Sequence, residues 1–166
     1  MNAVREPLNS SWLIQGPKVA EFEKRFAVFH NAHHALATTR CTAGLYLMLA
    51  AMGVGPGDEV IVPAFTSVSA ANVVLYCGST PILADIEPHI FDSDPSDLAH
   101  RITSRTKAVM VVHLFGLCAD MAAIRAGVPS HIPIVEDCAC AAGATYKGRY
   151  AGTLGLAGFF RFIRES

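Results

Sequence analysis

A carboxylate just beyond a strongly apolar segment is the first candidate for chemistry in this sequence. Asp137 lies close behind the apolar residues Ile132 to Val135, which are typical of a buried strand. This position puts the carboxylate at the rim of a sheet, partly out of water, where a charge needs a cationic or N–H partner. Two interpretations remain open: a carboxylate that binds a ligand, or an aspartate that caps the following turn.

Thr42, which precedes a predicted apolar helix, is the second candidate. As the N-cap it would present backbone N–H groups and the positive end of a helix dipole to an anion, most simply a phosphate. A threonine that caps the helix without a ligand is the alternative. Thr66 with Ser67, Asp85 and His113 also follow predicted strands, at the sheet edge where ligands bind in such folds.

Neither the cysteines nor the histidines form a pattern typical of a metal site. The five cysteines have irregular spacings and no Cys-x-x-Cys pair, and the seven histidines are scattered apart from a cluster at residues 30–34. We therefore predict reduced, half-buried thiols and no metal. The cysteines are Cys41, Cys77, Cys118, Cys138 and Cys140.

Helical and strand patterns alternate along the chain. Apolar residues at spacings of three and four predict a helix from Gly16 to Phe29, and a second, mostly buried helix covers Leu45 to Met52. Continuous apolar strands separated by helices indicate an α/β doubly wound fold, with a parallel sheet covered on both faces, in one domain. Further predicted elements are strands at Glu59 to Val62, Pro81 to Ile86, Ala108 to Leu114 and Ile132 to Asp137, and helices at Val68 to Tyr76 and from Ala119.

The composition excludes several classes of protein. Of the 166 residues, 52% are hydrophobic and 16% charged, which is enough apolar surface for one core of domain size. A net charge of −1 without a basic block argues against a nucleic-acid partner. The polar N-terminus and the short apolar stretches predict a cytoplasmic protein with no membrane contact. No glycine-rich phosphate loop follows a strand, which argues against a plain nucleotide-binding domain.

Short motifs over nearly the whole chain have a specific joint order: Ser11–Pro17, Cys41–Leu45, Gly55–Pro63, Gly78–Pro81, Val112–Gly116, Glu136–Asp137, Tyr146–Arg149 and Gly152–Gly155. Together they resemble the DegT/StrS family of pyridoxal-phosphate-dependent sugar aminotransferases, of fold type I. The resemblance implies a three-layer α/β sandwich with a mostly parallel sheet. It also implies that residues 1–166 are an incomplete large, cofactor-binding domain, without the small C-terminal domain.

The resemblance also assigns roles to individual residues. Asp137 corresponds to the aspartate that pairs with the pyridine nitrogen of the cofactor and keeps it protonated. Ser67 stands where the family has an aromatic ring stacked on the cofactor, so that this stacking is missing unless the ring of Phe65 substitutes. Cys140 stands where the family has a glutamine, and a thiol is a poorer hydrogen-bonding group. The implied cofactor-binding residues are Thr42 and Ala43, at the phosphate, with Ser67, Asp137 and Cys140.

The implied activity is transfer of an amino group from an amino acid to a nucleotide-linked keto sugar, in polysaccharide, lipopolysaccharide or antibiotic sugar biosynthesis. The family is dimeric, which implies a homodimer or self-association. In the resembled fold the sheet continues further, so we expect the run Gly158 to Ile163 to form an exposed apolar strand. Its Schiff-base lysine has no counterpart, since no lysine follows Lys147, and Arg161 stands in place of a phosphate-binding serine. We therefore expect weak or absent cofactor binding and no turnover by this chain alone. The alternative is a noncatalytic remnant or a dimer-interaction module.

The lysine positions predict that the 166-residue chain forms no Schiff base at a defined site. After incubation with pyridoxal phosphate and reduction with borohydride, peptide mapping by mass spectrometry should find only weak labelling without preference. Stoichiometric labelling of one lysine would contradict the prediction. The four lysines are Lys18, Lys24, Lys107 and Lys147.

Overall fold

A computed structural model describes residues 2–162, and the chain folds as two compact units that divide after residue 37. The first unit contains α1 (Asn2–Ser10) and α2 (Pro17–His30). Pro17 occupies the first position of α2, and Asn31 ends it in the left-handed conformation, at φ 53°. The predicted helix at Gly16 to Phe29 is thus confirmed. Helix α1 was not predicted, because its sequence is polar on average, has few apolar residues and contains a proline.

The second unit contains a five-stranded sheet, four α-helices and a two-stranded hairpin. The sheet has the strand order β2-β1-β3-β4-β7, and every neighbouring pair is parallel. Its strands are β1 (Glu59–Pro63), β2 (Thr80–Ala84), β3 (Thr106–Val112), β4 (Ile134–Cys138) and β7 (Ala157–Phe160). The helices are α3 (Cys41–Ala51), α4 (Ser69–Tyr76), α5 (Pro95–His100) and α6 (Met121–Gly127), and the hairpin pairs β5 (Thr145–Tyr146) with β6 (Arg149–Tyr150).

Helices cover both faces of the sheet, as alternate residues of β1 show. Val60 and Val62 pack against α3 and α4, whereas Ile61, which points the other way, packs against α5 and α6. Every residue of β1 and β4 is buried. The predicted α/β architecture, a parallel sheet between two helical layers, is therefore confirmed. Within the part of the chain that the structure describes, no helix is long and apolar enough to cross a bilayer.

Two elements depend on turn residues that the apolar pattern did not reveal. Helix α5 begins at Pro95, and the side chain of its N-cap Asp94 accepts a hydrogen bond of 2.8 Å from the Ser96 N–H. The hairpin turns at Lys147 and Gly148, both with positive φ, as a tight turn between antiparallel strands requires.

The predicted apolar strand at the end of the chain is shorter and better covered than expected. β7 ends at Phe160, and Ile163 lies outside the described residues. Phe159 packs on the core between the sheet and α3, and Phe160 packs beside Cys138, so that both rings are half-buried. β7 is the edge strand of the described sheet and Phe162 beyond it is 62% exposed, which agrees with the prediction of an exposed apolar strand, whereas these two rings are better covered than predicted. The reason is that glycines on the facing segments leave space for them.

Gly44 on α3 provides that space for Phe159, and this generates a test. A Cβ at Gly44 would lie 2.8 Å from two ring carbons of Phe159. Although alanine favours a helix by about 1 kcal/mol over glycine, we expect Gly44→Ala to lower the free energy of unfolding by roughly 1–3 kcal/mol through overpacking. Urea unfolding followed by circular dichroism measures this change.

Gly55→Ala is the matched control, because a Cβ at Gly55 meets no atom within 4 Å. We expect it to change the free energy of unfolding by less than about 0.5 kcal/mol. Equal unfolding curves for the two variants would show that Phe159 is not held against α3 in this way.

Candidate functional site

Asp137 lies at the carboxyl end of β4, in register with Val112 of β3 and Phe159 of β7. Its side chain shares the sheet face covered by α3 and α4, since it is two residues from Val135 in the core there. Asp137 is only 4% exposed. Burial raises the pKa of this carboxyl group, and the Ala139 N–H and the positive charge of Arg161 oppose that rise. A charged ligand atom at this carboxylate would therefore form an ion pair largely out of water.

One of the two oxygens of the Asp137 carboxylate is hydrogen-bonded within its own turn. Oδ1 accepts a hydrogen bond of 2.9 Å from the Ala139 N–H, which is the turn-capping role that the sequence left open. Among the residues that the structure describes, no donor binds Oδ2. The local turn thus fixes the side chain and leaves one oxygen available to a ligand.

The beginning of α3 differs from the sequence prediction. Thr42 was expected to be the N-cap, but the extended Arg40 precedes the helix, and Thr42 is its second residue. The prediction is wrong because the carbonyl of Arg40 already accepts the first helical bond, from the Gly44 N–H at 3.1 Å. Thr42 and Ala43 consequently lie in the first turn, where N–H groups have no acceptor within the helix. That turn keeps the anion-binding capacity predicted for it.

Cys41 shows that the start of α3 lies near Asp137. Burial raises the pKa of the Cys41 thiol to about 11, and the negative charge of Asp137 contributes to the rise. Arg161 opposes it, and the Cys140 thiol adds a further small effect. The first turn of α3, the end of β4 and the residue after β7 therefore enclose one region, which the sequence alone could not bring together.

The other predicted strand-end residues lie elsewhere along the sheet edge. Ser67 follows β1, and its hydroxyl oxygen accepts hydrogen bonds from Ser69 at the start of α4. The ring centroid of Phe65 lies 5.6 Å from that of Phe91. Within the described chain, no contact joins Phe65 to Asp137. Asp85 is exposed just after β2, three strand spacings from β4, which is about 14 Å at ordinary strand spacing.

His113 is buried behind the edge, where it binds Glu136, a residue that sequence reasoning did not single out. Its Nδ1 accepts a hydrogen bond of 3.2 Å from the Ala119 N–H, so the ring proton must lie on Nε2, which donates to Glu136 at 2.9 Å. The pair is thus a neutral imidazole with a carboxylate. The place of Glu136 in the Glu136–Asp137 motif and its charge inside an otherwise apolar strand were the signals that could have found it.

One group in the described chain has the composition of a metal site: His113, Glu136 and Cys138, whose ligand atoms lie within 4.8 Å of one another. Both ring nitrogens of His113 are already used in hydrogen bonds. Burial strongly raises the pKa of the Cys138 thiol, which keeps it protonated. The chemistry of this donor set therefore does not suit a metal ion.

The chain is similar to sugar aminotransferases in sequence. A model of the DegT/DnrJ/EryC1/StrS aminotransferase family matches residues 1–164. The spore coat polysaccharide biosynthesis protein SpsC of Bacillus subtilis is 48% identical over 160 residues, which cover 96% of this chain and 41% of that protein. GDP-perosamine synthase of Caulobacter vibrioides is 45% identical over 162 residues, 96% of this chain and 44% of that protein.

Solved structures share the fold. 3-Amino-5-hydroxybenzoic acid synthase is 39% identical with a TM-score of 0.92, over 98% of this chain and 43% of that one. The PLP-form of the putative sugar aminotransferase Spr1654 from Streptococcus pneumoniae is 34% identical with a TM-score of 0.90, over 95% of this chain and 44% of that one. The predicted type I aminotransferase fold is thus confirmed, and the chain spans about two fifths of the length of these relatives.

The environment of Cys41 predicts its reactivity. Since only the thiolate reacts, a pKa of about 11 leaves roughly one Cys41 in a thousand reactive at pH 8. Iodoacetamide should therefore label the exposed Cys140 first, and raising the pH from 8 to 10 should speed Cys41 labelling by roughly 100-fold. Mass spectrometry of timed digests measures both rates. Labelling of Cys41 as fast as Cys140 at pH 8 would contradict this account of the site.

Proposed function

Because the chain belongs to the DegT/DnrJ/EryC1/StrS aminotransferase family, we propose that its Asp137 region binds pyridoxal 5′-phosphate for amino transfer to a nucleotide-linked keto sugar. The observation that carries the proposal is a buried carboxylate with one available oxygen, close to the first turn of a helix. The family match supplies the chemical context for that carboxylate. We further propose that residues 1–166 correspond to an incomplete large domain of such an enzyme.

The relatives support the substrate class. One is named for spore coat polysaccharide biosynthesis and another for synthesis of GDP-perosamine, a nucleotide-linked amino sugar. The corresponding acceptor for this protein would be a nucleotide-linked keto sugar, and the donor an amino acid. The product would serve polysaccharide, lipopolysaccharide or antibiotic sugar biosynthesis, and a homodimer in the cytoplasm is the proposed working form.

The residues present fit the cofactor at its two charged ends. Asp137 would hold a proton on the pyridine nitrogen through Oδ2, in an ion pair that burial strengthens. Thr42 and Ala43 would bind the phosphate through the N–H groups of the first turn of α3. When bound, pyridoxal phosphate supplies an electron sink for the negative charge that develops at the amino-bearing carbon.

Between the phosphate and the ring nitrogen, the side chains would form fewer and weaker contacts with the cofactor. Ser67 cannot stack on an aromatic ring, and its hydroxyl is already bonded to Ser69. Cys140, exposed in the turn after β4, would contribute only a weak thiol contact to the ring substituents. We therefore propose weak binding, which Asp137 and the first turn of α3 dominate.

A noncatalytic role is the second candidate, and the lysine positions favour it. Lys107 lies near the amino end of β3, five residues before the partner of Asp137 and thus about 16 Å along the strand. Lys147 lies in the hairpin turn, with Nζ 5.0 Å from the ring centre of Tyr146. Neither amine stands where it could take a proton beside Asp137. In this alternative the chain keeps a binding or dimer-interaction function without turnover.

Titration with pyridoxamine phosphate tests the binding proposal. Asp137→Asn removes the charge that would hold the ring nitrogen, a charge-assisted bond of about 1.5–3 kcal/mol, so the Kd should rise roughly 10- to 100-fold. Asp85→Asn is the matched control, because it makes the same change at an exposed position on the same sheet edge, and its Kd should stay unchanged. Isothermal calorimetry measures both. Equal Kd values for the wild type and Asp137→Asn would place the ring elsewhere.

A further inference from the structure

Glu136 is the most completely bonded side chain in the described part of the sheet. It is fully buried in β4, next to Asp137 but on the opposite face. Its carboxylate accepts four hydrogen bonds, two at each oxygen. Oε2 accepts from the His113 Nε2–H at 2.9 Å and the Gly152 N–H at 2.7 Å, and Oε1 from the Leu154 and Gly155 N–H groups at 2.7 and 2.5 Å.

Three of those donors belong to residues 152–155, the segment that leads into β7. Leu156 then donates to the Ile134 carbonyl at 2.7 Å, and from there β7 runs beside β4 until Phe159 pairs with Asp137. The approach of this segment is close, because a Cβ at Gly155 would collide with the backbone of Ile134. Glu136 therefore holds the path by which β7 reaches Asp137.

We infer that Glu136 is a positioning residue for Asp137: by binding the backbone of residues 152–155, its carboxylate fixes β7 along the strand end that carries the ring-binding aspartate. The inference rests on the proposed function of Asp137. An amide at position 136 could not do the same work, since its NH₂ group would face N–H donors. The expected effect is therefore local to β7 and to the Asp137 carboxylate.

The test compares Glu136→Gln with the wild type by hydrogen exchange and by pyridoxamine phosphate binding. In the variant, amides of residues 152–160 should exchange at least 100-fold faster while β1 and β3 keep their protection. The Kd of pyridoxamine phosphate should rise at least tenfold. The absorbance of the bound compound against pH should show its ring-nitrogen pKa shifted toward that of the free compound, a change that a merely structural role would not produce.

Glu59→Gln is the matched control. Glu59 is also a buried carboxylate, bonded to Thr103 and Arg105, but it lies at the amino end of β1. We expect this variant to lose stability without a change in the exchange of residues 152–160 or in the Kd. If Glu136→Gln and Glu59→Gln affect binding equally, the positioning role is overturned.

The remaining outcomes are distinct. Unchanged protection of residues 152–160 in Glu136→Gln overturns the inference, and so does loosening of the segment with an unchanged Kd. If Glu136→Gln does not fold, the wild type decides: pyridoxamine phosphate should increase protection of residues 152–160 there but not in Asp137→Asn, and no increase overturns the inference. If the wild type does not bind pyridoxamine phosphate, the proposed function and the positioning role of Glu136 toward the cofactor are both overturned. Faster exchange of β7 in Glu136→Gln would still establish that Glu136 holds residues 152–155.

Discussion

A carboxylate that is buried away from water is stable only when the protein supplies hydrogen-bond donors to its oxygens. In the second unit, Glu136 is such a carboxylate. Its four donors come from the end of β3 and from the segment before β7, on either side of β4. Both neighbours of β4 are thereby tied to one charge. The hydrogen bonds to that charge and the apolar packing of β3, β4 and β7 favour the same strand order.

Asp137 and Glu136 are adjacent carboxylates that differ in how far the protein satisfies their hydrogen bonding. Within residues 2–162, the side chain of Glu136 accepts four hydrogen bonds, whereas that of Asp137 accepts one, from Ala139. Because successive strand residues point to opposite faces, the two charges are separated by the sheet itself. One supports the backbone on the side of α6, and the other is left for a ligand on the side of α3.

The sequence predicted what depends on local pattern. The apolar runs of β1, β3 and β4 and the periodicity of α2 led to a parallel α/β fold, and the position of Asp137 after an apolar run located the candidate site. Three features escaped because each depends on backbone geometry or on contacts between distant segments: the N-cap of α3 at Arg40 instead of Thr42, the packing of the Phe159 ring against Gly44, and the bonds of Glu136 to residues 16 to 19 positions later. Long-range hydrogen bonds to backbone N–H groups leave no signature in the donor's residue type, because every residue except proline carries that donor.

The sequence separation of those last bonds has a consequence for synthesis on the ribosome. Strands β1 to β4 are complete in the chain before residues 152–155 have been added, and the N-terminal part of a chain emerges first. Until those residues arrive, burying Glu136 would leave a charge without most of its donors, which is costly. While it waits for residues 152–155, the nascent sheet therefore keeps β4 accessible to water, and the pairing of β7 with β4 follows the arrival of those residues.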